Sequence, residues 1–246
     1  KIDASVRREY DNVYDTFDTG RLQVNHKLFK DIILRGSAGT GYRTPTPYEL
    51  YSAYGNTDLK PEKSVSYDIG SEINLKDMST SIYIGSFETK VEDIITYASS
   101  KYRQSTSNLK TYGLELRLKT SLYDFLETGL NFTRTNGKEN DGDSITLVPK
   151  DKIVLSLNFI PNKKISLNTY YLYQNKAKDT KYNELPTYKS LNLNCSYKMT
   201  NKSKTYLKIE NLLDRDNIVN RGGGTSENLG YRSPGQSVYL GIELKN

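Results

Sequence analysis

The chain has 246 residues, a net charge of +6, 35% hydrophobic residues and a mean hydropathy of −0.69. That polarity, with no run of about eighteen apolar residues, excludes helical membrane spans. Charge is dispersed without like-charge runs or a base-reading motif, so no nucleic acid is expected as a partner.

Two classes stay open: a transmembrane β-barrel, in which only alternate strand residues face lipid, and a soluble β-sheet binding protein. The chain holds 21 tyrosines and no tryptophan. Tyr suits the interfacial girdles of a barrel, because an apolar ring carries a wet tip. Cys195 is alone, which excludes an intrachain disulfide. Its neighbours Leu191, Leu193 and Tyr197 put it on the apolar side of a strand.

In chain order, residues 1–10 read as a weak strand and residues 11–19 as a polar loop ending at Gly20. Leu22, Val24 and Leu28 then alternate with polar residues, and Lys30-Asp31 turns into an alternating run from Ile32. Residues 39–64 hold Pro45, Pro47 and Pro61 among many tyrosines. Pro cannot donate to a sheet ladder, so this is a long loop joining two strands. Val65, Tyr67, Ile69, Ile73 and Leu75 mark the next strand, and one more follows within 79–97. Residues 98–108 read as a loop. Strands then appear around Tyr112–Leu118, Leu126–Phe132, Ile153–Phe159, Ile165–Tyr173, Leu191–Tyr197, Thr205–Glu210 and Val238–Leu244. The loops between them are residues 136–144, 175–187 and 212–233; the turns lie near Asp77, Asp124, Pro161 and Asn201. No segment has a convincing helix period.

About twelve strands of about ten residues, with short turns alternating with long loops, is the layout of an outer-membrane barrel. Glu72, Glu115, Arg117, Lys119, Glu127 and Lys208 all fall on the polar parity, as lumen residues would; a solvated sheet face would look the same.

The wording of 39–64 resembles a known family. Tyr42, Arg43, Pro45, Glu49, Leu50 and Tyr51, then Gly55, Asn56, Leu59, Pro61, Glu62 and Ser64, follow a pattern of TonB-dependent outer-membrane receptors, with Thr44 where Ala is usual. The stretch from Tyr54 to Ser64 looks closest to the vitamin B12 (cobalamin) branch. Three more segments are similar. Asn108, Gly113, Leu114 and Glu115 resemble a strand-opening motif, spaced one residue shorter, preceded by Val91–Tyr97. Asn211, Leu212, Leu213 and Asp214 resemble the family's Asn-Leu-x-Asp, with Asn217 where an aromatic is usual. Pro234-Gly235 resembles the motif opening the last strand, with Gln236 for Arg. The family's barrels usually finish on an aromatic; this chain ends Leu244-Lys245-Asn246.

The resemblance implies an all-β, antiparallel transmembrane barrel. The family has an N-terminal plug and about twenty-two strands. The expectation is therefore that residues 1–246 are the C-terminal portion of the barrel, without plug, TonB box or first strands. A complete small barrel is the alternative.

The function implied is energised uptake of a scarce large ligand, cobalamin or a ferric siderophore, across the outer membrane of a Gram-negative cell. TonB would be the partner through the missing plug, and outer-membrane lipid and lipopolysaccharide would surround the barrel. A passive porin-like or adhesion barrel is the competing class. Ligand contacts are expected from loop side chains, first Arg43, Tyr48, Tyr51 and Tyr54, then Tyr182 and the segment from Arg221 to Tyr231. No enzyme, cofactor or metal site is expected. His26 is the only histidine, which excludes multi-His metal sites, and a catalytic unit needing a second histidine. Gly222-Gly223-Gly224 lacks the helix of a phosphate loop. Asp141-Gly142-Asp143 lacks EF-hand spacing.

Overall fold

A computed structural model of the chain describes residues 1–105, 107–139, 145–180, 182–221 and 230–244. Twelve strands form one antiparallel sheet. They are β1 (Ile2–Asp11), β2 (Asp15–Phe29), β3 (Ile32–Arg43), β4 (Glu62–Leu75), β5 (Thr80–Glu92), β8 (Leu109–Tyr123), β9 (Leu126–Glu139), β10 (Asp151–Phe159), β11 (Ile165–Asn175), β12 (Tyr188–Lys198), β13 (Ser203–Glu210) and β16 (Ser237–Leu244). Two hairpins, β6 (Ile95–Ala98) with β7 (Lys101–Gln104) and β14 (Ile218–Asn220) with β15 (Tyr231–Arg232), sit inside loops. The sheet order is β1-β2-β3-β4-β5-β8-β9-β10-β11-β12-β13-β16, so each sheet strand pairs with its predecessor and successor along the chain.

Turn chemistry enforces that meander. At the β10–β11 turn, Asn162 Oδ1 accepts from the backbone N–H of Lys164 at 2.9 Å and Ile165 at 3.1 Å. At the β4–β5 turn, Ser79 takes a left-handed φ of 46° after the one-turn 3-10 helix Lys76–Met78. In β16, Gly241 lies under the Tyr206 ring of β13, directly opposite in register; a Cβ there would overlap the ring.

The residues group into two compact units. One holds residues 1–72, 85–114 and the described part of 136–145; it contains β1–β3 and the 44–61 and 93–108 loops. The other holds residues 73–84, 115–135 and the described part of 146–246; it contains β10–β13 and β16.

Among the described residues, the buried hydrophobic side chains are Leu50, Leu59 and Leu185, all in connections between sheet strands. Many apolar strand residues are exposed: Ile69 is 70% exposed and Leu240 80%. A soluble sandwich would cover such a face with a second sheet. Here the other sheets have two strands each.

Several charges on the strands are matched locally. Arg134 Nε meets Asp151 at 2.7 Å directly across β9–β10. Lys119 meets Glu127 at 2.8 Å, and Arg35 pairs with Glu72. Arg117 bonds Glu115 at 2.6 Å and lies over the Tyr83 ring at 4.6 Å.

Several sequence expectations shift. The polar loop expected at 11–19 is mostly strand, with only residues 12–14 between β1 and β2. Arg8 and Asp18 face each other in register and make two hydrogen bonds of 2.7 and 2.6 Å, and Phe17 stacks on Tyr42 at 4.0 Å. Cross-strand pairing thus overrides local polarity. The run 79–97 breaks at Asp93, which has φ 58°. The 98–108 loop carries a hairpin, because Ser99 and Ser100 both take positive φ, as a tight I′ turn demands. Strand β9 continues to Glu139. The 212–233 loop carries β14–β15. A helix does occur: α1 (Pro47–Tyr51).

Candidate functional site

The 44–61 loop starts from its helix. Thr46 is the N-cap: its hydroxyl accepts from Glu49 N at 3.2 Å, and Glu49 Oε2 accepts from Thr46 N at 2.7 Å. Pro47 stands in the first turn, where its fixed φ fits and its missing N–H costs nothing. One turn is too short to persist alone. Tertiary contacts hold it: Leu50 is buried, and Glu49 binds Arg43.

Arg43 is the centre of that support. Its Nε and Nη2 bind Glu62 Oε2 and Oε1 at 2.8 and 2.7 Å. Its Nη1 reaches Glu49 Oε2 at 3.0 Å and Oε1 at 3.2 Å. Glu62 Oε1 also accepts from Ile95 N at 2.9 Å, which ties β6 to the loop. Both carboxylates are well covered, at 14% and 15% side-chain exposure. Burial pushes the Glu49 carboxyl up; the Thr46 backbone N–H, the Arg43 guanidinium and the Thr46 hydroxyl pull it down more strongly, so its pKa lies below the ordinary value.

The second half of the loop packs on itself. Asn56 N donates to Glu49 O at 2.8 Å, and Asn56 Oδ1 accepts from Asp58 N at 3.0 Å. Gly55 lies so close to the end of α1 that a Cβ would stand 2.5 Å from Leu50 O. Leu59, Pro45 and Pro61 are buried. Glu49, Leu50, Gly55, Asn56, Leu59 and Glu62 of the motif thus close the loop.

Tyrosines join this loop to the β6–β7 hairpin. Tyr102 N donates to Tyr54 O at 2.8 Å. Tyr97 and Tyr102 are directly opposite in the hairpin, with ring centroids 5.2 Å apart. Tyr48 meets Tyr102 edge-on at 6.1 Å, and Tyr54 meets Tyr97 edge-on at 5.9 Å. Gln104 adds a clamp: its Oε1 accepts from Lys60 N at 2.8 Å, and its Nε2 donates to Lys60 O and Asp93 O. Tyr48, Tyr51, Tyr54 and Tyr97 stay exposed. The structure therefore gathers Arg43, Tyr48 and Tyr54 and adds Tyr97 and Tyr102, which sequence reasoning did not name as site residues. The signal available for them was a Tyr-x-x-x-x-Tyr spacing around Ser99-Ser100.

The other expected site residues lie in the second unit. Tyr182 has φ 65° and its N–H donates to Asp179 O at 3.0 Å; Tyr231 is exposed on β15. Arg221 ends one described segment. The residues between it and Gly230, including Gly222-Gly223-Gly224, lie outside the described residues, as do Asp141-Gly142-Asp143. The motifs near the C-terminus interlock. Asn211, at φ 51° and 5% exposed, donates to Arg215 O and Pro234 O and accepts from Arg215 N. Asp214 Oδ1 accepts from Gln236 N at 2.8 Å, and a Cβ on Gly235 would sit 3.0 Å from it. Leu212 N donates to Leu191 O and its carbonyl accepts from Gln236 Nε2. Gly113 is buried in β8.

The family model described as "TonB dependent receptor-like, beta-barrel" matches residues 1–212. Among curated proteins, the vitamin B12 transporter BtuB of Vibrio cholerae is 23% identical, with 94% of this chain and 40% of that protein covered. The iron-regulated outer membrane virulence protein of Vibrio cholerae is 21% identical, with 97% of this chain and 41% of that protein covered. Among solved structures, the ferric enterobactin receptor PfeA of Pseudomonas aeruginosa superposes with a TM-score of 0.82 at 18% identity, covering 99% of this chain and 42% of that one. The copper transporter OprC gives 0.75 at 19% identity, covering 94% and 40%. The chain thus spans about 40% of the length of the curated relatives it matches. With a twelve-stranded antiparallel meander, its loop motifs in place and a family match over residues 1–212, the chain belongs to the TonB-dependent receptor β-barrel family.

Proposed function

We propose that this chain is the C-terminal part of the barrel of an outer-membrane transporter that takes up a scarce large ligand, cobalamin or a ferric siderophore, with energy delivered by TonB. The observation that carries this reading is the family match together with relatives that include a vitamin B12 transporter. The share of those relatives that the chain spans supports its being one part of a longer receptor. The uncovered apolar strand face, with Ile69 and Leu240 exposed, suits lipid acyl chains, and the long loops suit contact with lipopolysaccharide.

In this reading the exposed rings of Tyr48, Tyr51 and Tyr54 contact the ligand, with Tyr182, Arg221 and Tyr231 as a second set. Exposed tyrosines offer flat apolar area with a polar edge, which suits a corrin ring or a catecholate alike. Arg43 contributes by holding α1 and β4 in register with each other. The reaction class is binding and translocation, with no covalent step.

Calorimetry on the full-length receptor against cyanocobalamin and ferric enterobactin tests the ligand. Uptake of the bound ligand in cells with and without TonB tests the energy source. Binding of neither ligand, together with a steady open conductance in planar bilayers, would sink the receptor reading in favour of a passive channel.

A further inference from the structure

The apolar face of the second unit is ordered in rows by the ladder register. Tyr171 is directly opposite Leu155 and Leu191, and Leu155 is opposite Leu130. Two residues further along each strand, Thr169 is opposite Leu157 and Leu193, and Leu157 is opposite Thr128. Opposed residues, and residues two apart on a strand, share a face. The same face carries Leu207 opposite the exposed Leu240 of β16. The opposed pair Asn194 and Lys208 stands on the other face.

One place on the apolar face is hollow. A cavity of about 400 Å³ is lined by both rows, and none of its described lining residues is charged. Side-chain size accounts for it: Leu157 has a threonine on each side, where Leu155 has Leu130 and Tyr171. Gly129, Ser156 and Tyr170 run between the rows, so their side chains belong to the other face. The Thr169 hydroxyl already donates to Asn192 O at 2.9 Å. An unfilled apolar hollow forfeits dispersion contacts on its lining, so this one favours an apolar occupant.

Its height selects which one. On β11 the residues of this face run from Ile165 to Tyr173, close to the nine to eleven residues that a tilted strand needs to cross hydrocarbon. Thr169 is the middle of that run. Charge returns one row beyond Tyr173, where Arg134 pairs with Asp151 and Asp151 faces Asn175. Past Ile165 the strand gives way to the turn capped by Asn162. A lipid headgroup or a soluble ligand stays outside those limits; an acyl chain does not.

We propose that this hollow is a binding site for a single lipid acyl chain, held between the Leu130–Leu155–Tyr171 row and the Thr128–Leu157–Thr169 row. The chain it holds is retained, whereas chains along the rest of the face exchange freely. Recognition is by shape and apolar contact, so the site takes a long chain whatever its headgroup. The proposal rests on the outer-membrane reading above, because only a bilayer presents acyl chains at that height.

The test reconstitutes the full-length receptor into bilayers containing phosphatidylcholine with a photoreactive diazirine on one acyl chain, and maps the labelled residues by mass spectrometry. Labelling at Leu155, Leu157 and Tyr171 is expected to exceed that at Leu240 and Ile242 by about tenfold, the worth of about two extra buried methylenes. Thr128→Leu/Thr169→Leu fills the hollow and should bring its labelling down to the level of the rest of the face. Thr205→Leu is the matched control: it adds the same bulk two rows away and also removes a threonine bond to a carbonyl, Tyr197 O, yet should keep the enrichment. If the double variant does not fold, Thr128→Leu alone, with the Thr169 bond in place, carries the comparison. A phosphatidylglycerol carrier should give the same enrichment. Even labelling across the face, enrichment that follows the headgroup, or enrichment unchanged by filling the hollow would overturn the proposal. So would a dimer in native mass spectra that the filled variant loses, which would give the hollow to a second copy. Absence of label from the whole face would sink the outer-membrane reading, and the proposal with it.

Discussion

Arg43 closes on Glu62 with two parallel hydrogen bonds, Nη2 to Oε1 at 2.7 Å and Nε to Oε2 at 2.8 Å, and so links the last residue of β3 to the first of β4. Its remaining nitrogen holds Glu49 of α1. Removing the guanidinium leaves two covered carboxylates facing each other. Arg43→Ala should destabilise the 44–61 loop by about 1–3 kcal/mol, less than a fully buried pair because the arginine is 44% exposed. Arg43→Lys should recover only part of this, because a single ammonium cannot reproduce the fork. Amide hydrogen exchange across residues 44–61 measures both.

Acid should open the same brace. Glu49 has its pKa lowered in the folded chain, so its contribution is present above the unfolded carboxylate pKa of about 4.3 and is lost as pH falls through the folded value. Loop protection should therefore be flat from neutral pH to about pH 5 and fall below about pH 4. Glu49→Gln should flatten that acid-side drop. The chain has no tryptophan, so tyrosine emission follows the change without interference.

Gly55 admits no side chain, because the backbone of Leu50 and Tyr51 occupies the Cβ position at 2.5–2.8 Å. Gly55→Ala should push α1 away and destabilise the loop by about 1–3 kcal/mol while leaving the strands intact. The expected signature is faster exchange in 44–61 with unchanged protection in β10–β13.

Asn211 combines a left-handed backbone with three side-chain hydrogen bonds. Asn211→Gly keeps the backbone freedom and loses the bonds, at about 2–3 kcal/mol; Asn211→Ala adds roughly 1 kcal/mol of backbone strain. Thermal midpoints in detergent should rank wild type above Gly above Ala. Equal midpoints for the two variants would mean that the φ of 51° carries no cost.

Tyr102→Ala should loosen the contact between the 44–61 loop and the β6–β7 hairpin by about 1 kcal/mol, since it removes the edge-on contact with Tyr48, and it also removes the Tyr97 contact within the hairpin. Cross-protection between the two segments in hydrogen exchange reads this directly.

The strands were legible because alternation and turn residues are local: Ile153 to Phe159 and Val238 to Leu244 read in one glance. The family motif was legible as wording, yet its physical meaning was not. Nothing local to Gly55 says that Leu50 O would sit where its Cβ would be. Arg43 reads as a ligand candidate because it lies in a loop beside tyrosines, and its bracing role is invisible because its partners Glu49 and Glu62 are 6 and 19 residues away. The strand character of residues 15–19 is hidden because Asp18 looks solvent-bound until Arg8 is placed opposite it. In each case the missing term is a contact between residues that are not chain neighbours, from five to nineteen positions apart.

Because every neighbour in the sheet is also a neighbour in the chain, each hairpin holds its register without help from distant strands. Such a sheet can lengthen or shorten by one hairpin at a time, with no surviving pair of strands asked to slide. The loop-closing residues around Gly55 and Asn211 belong to the hairpin ends they lock.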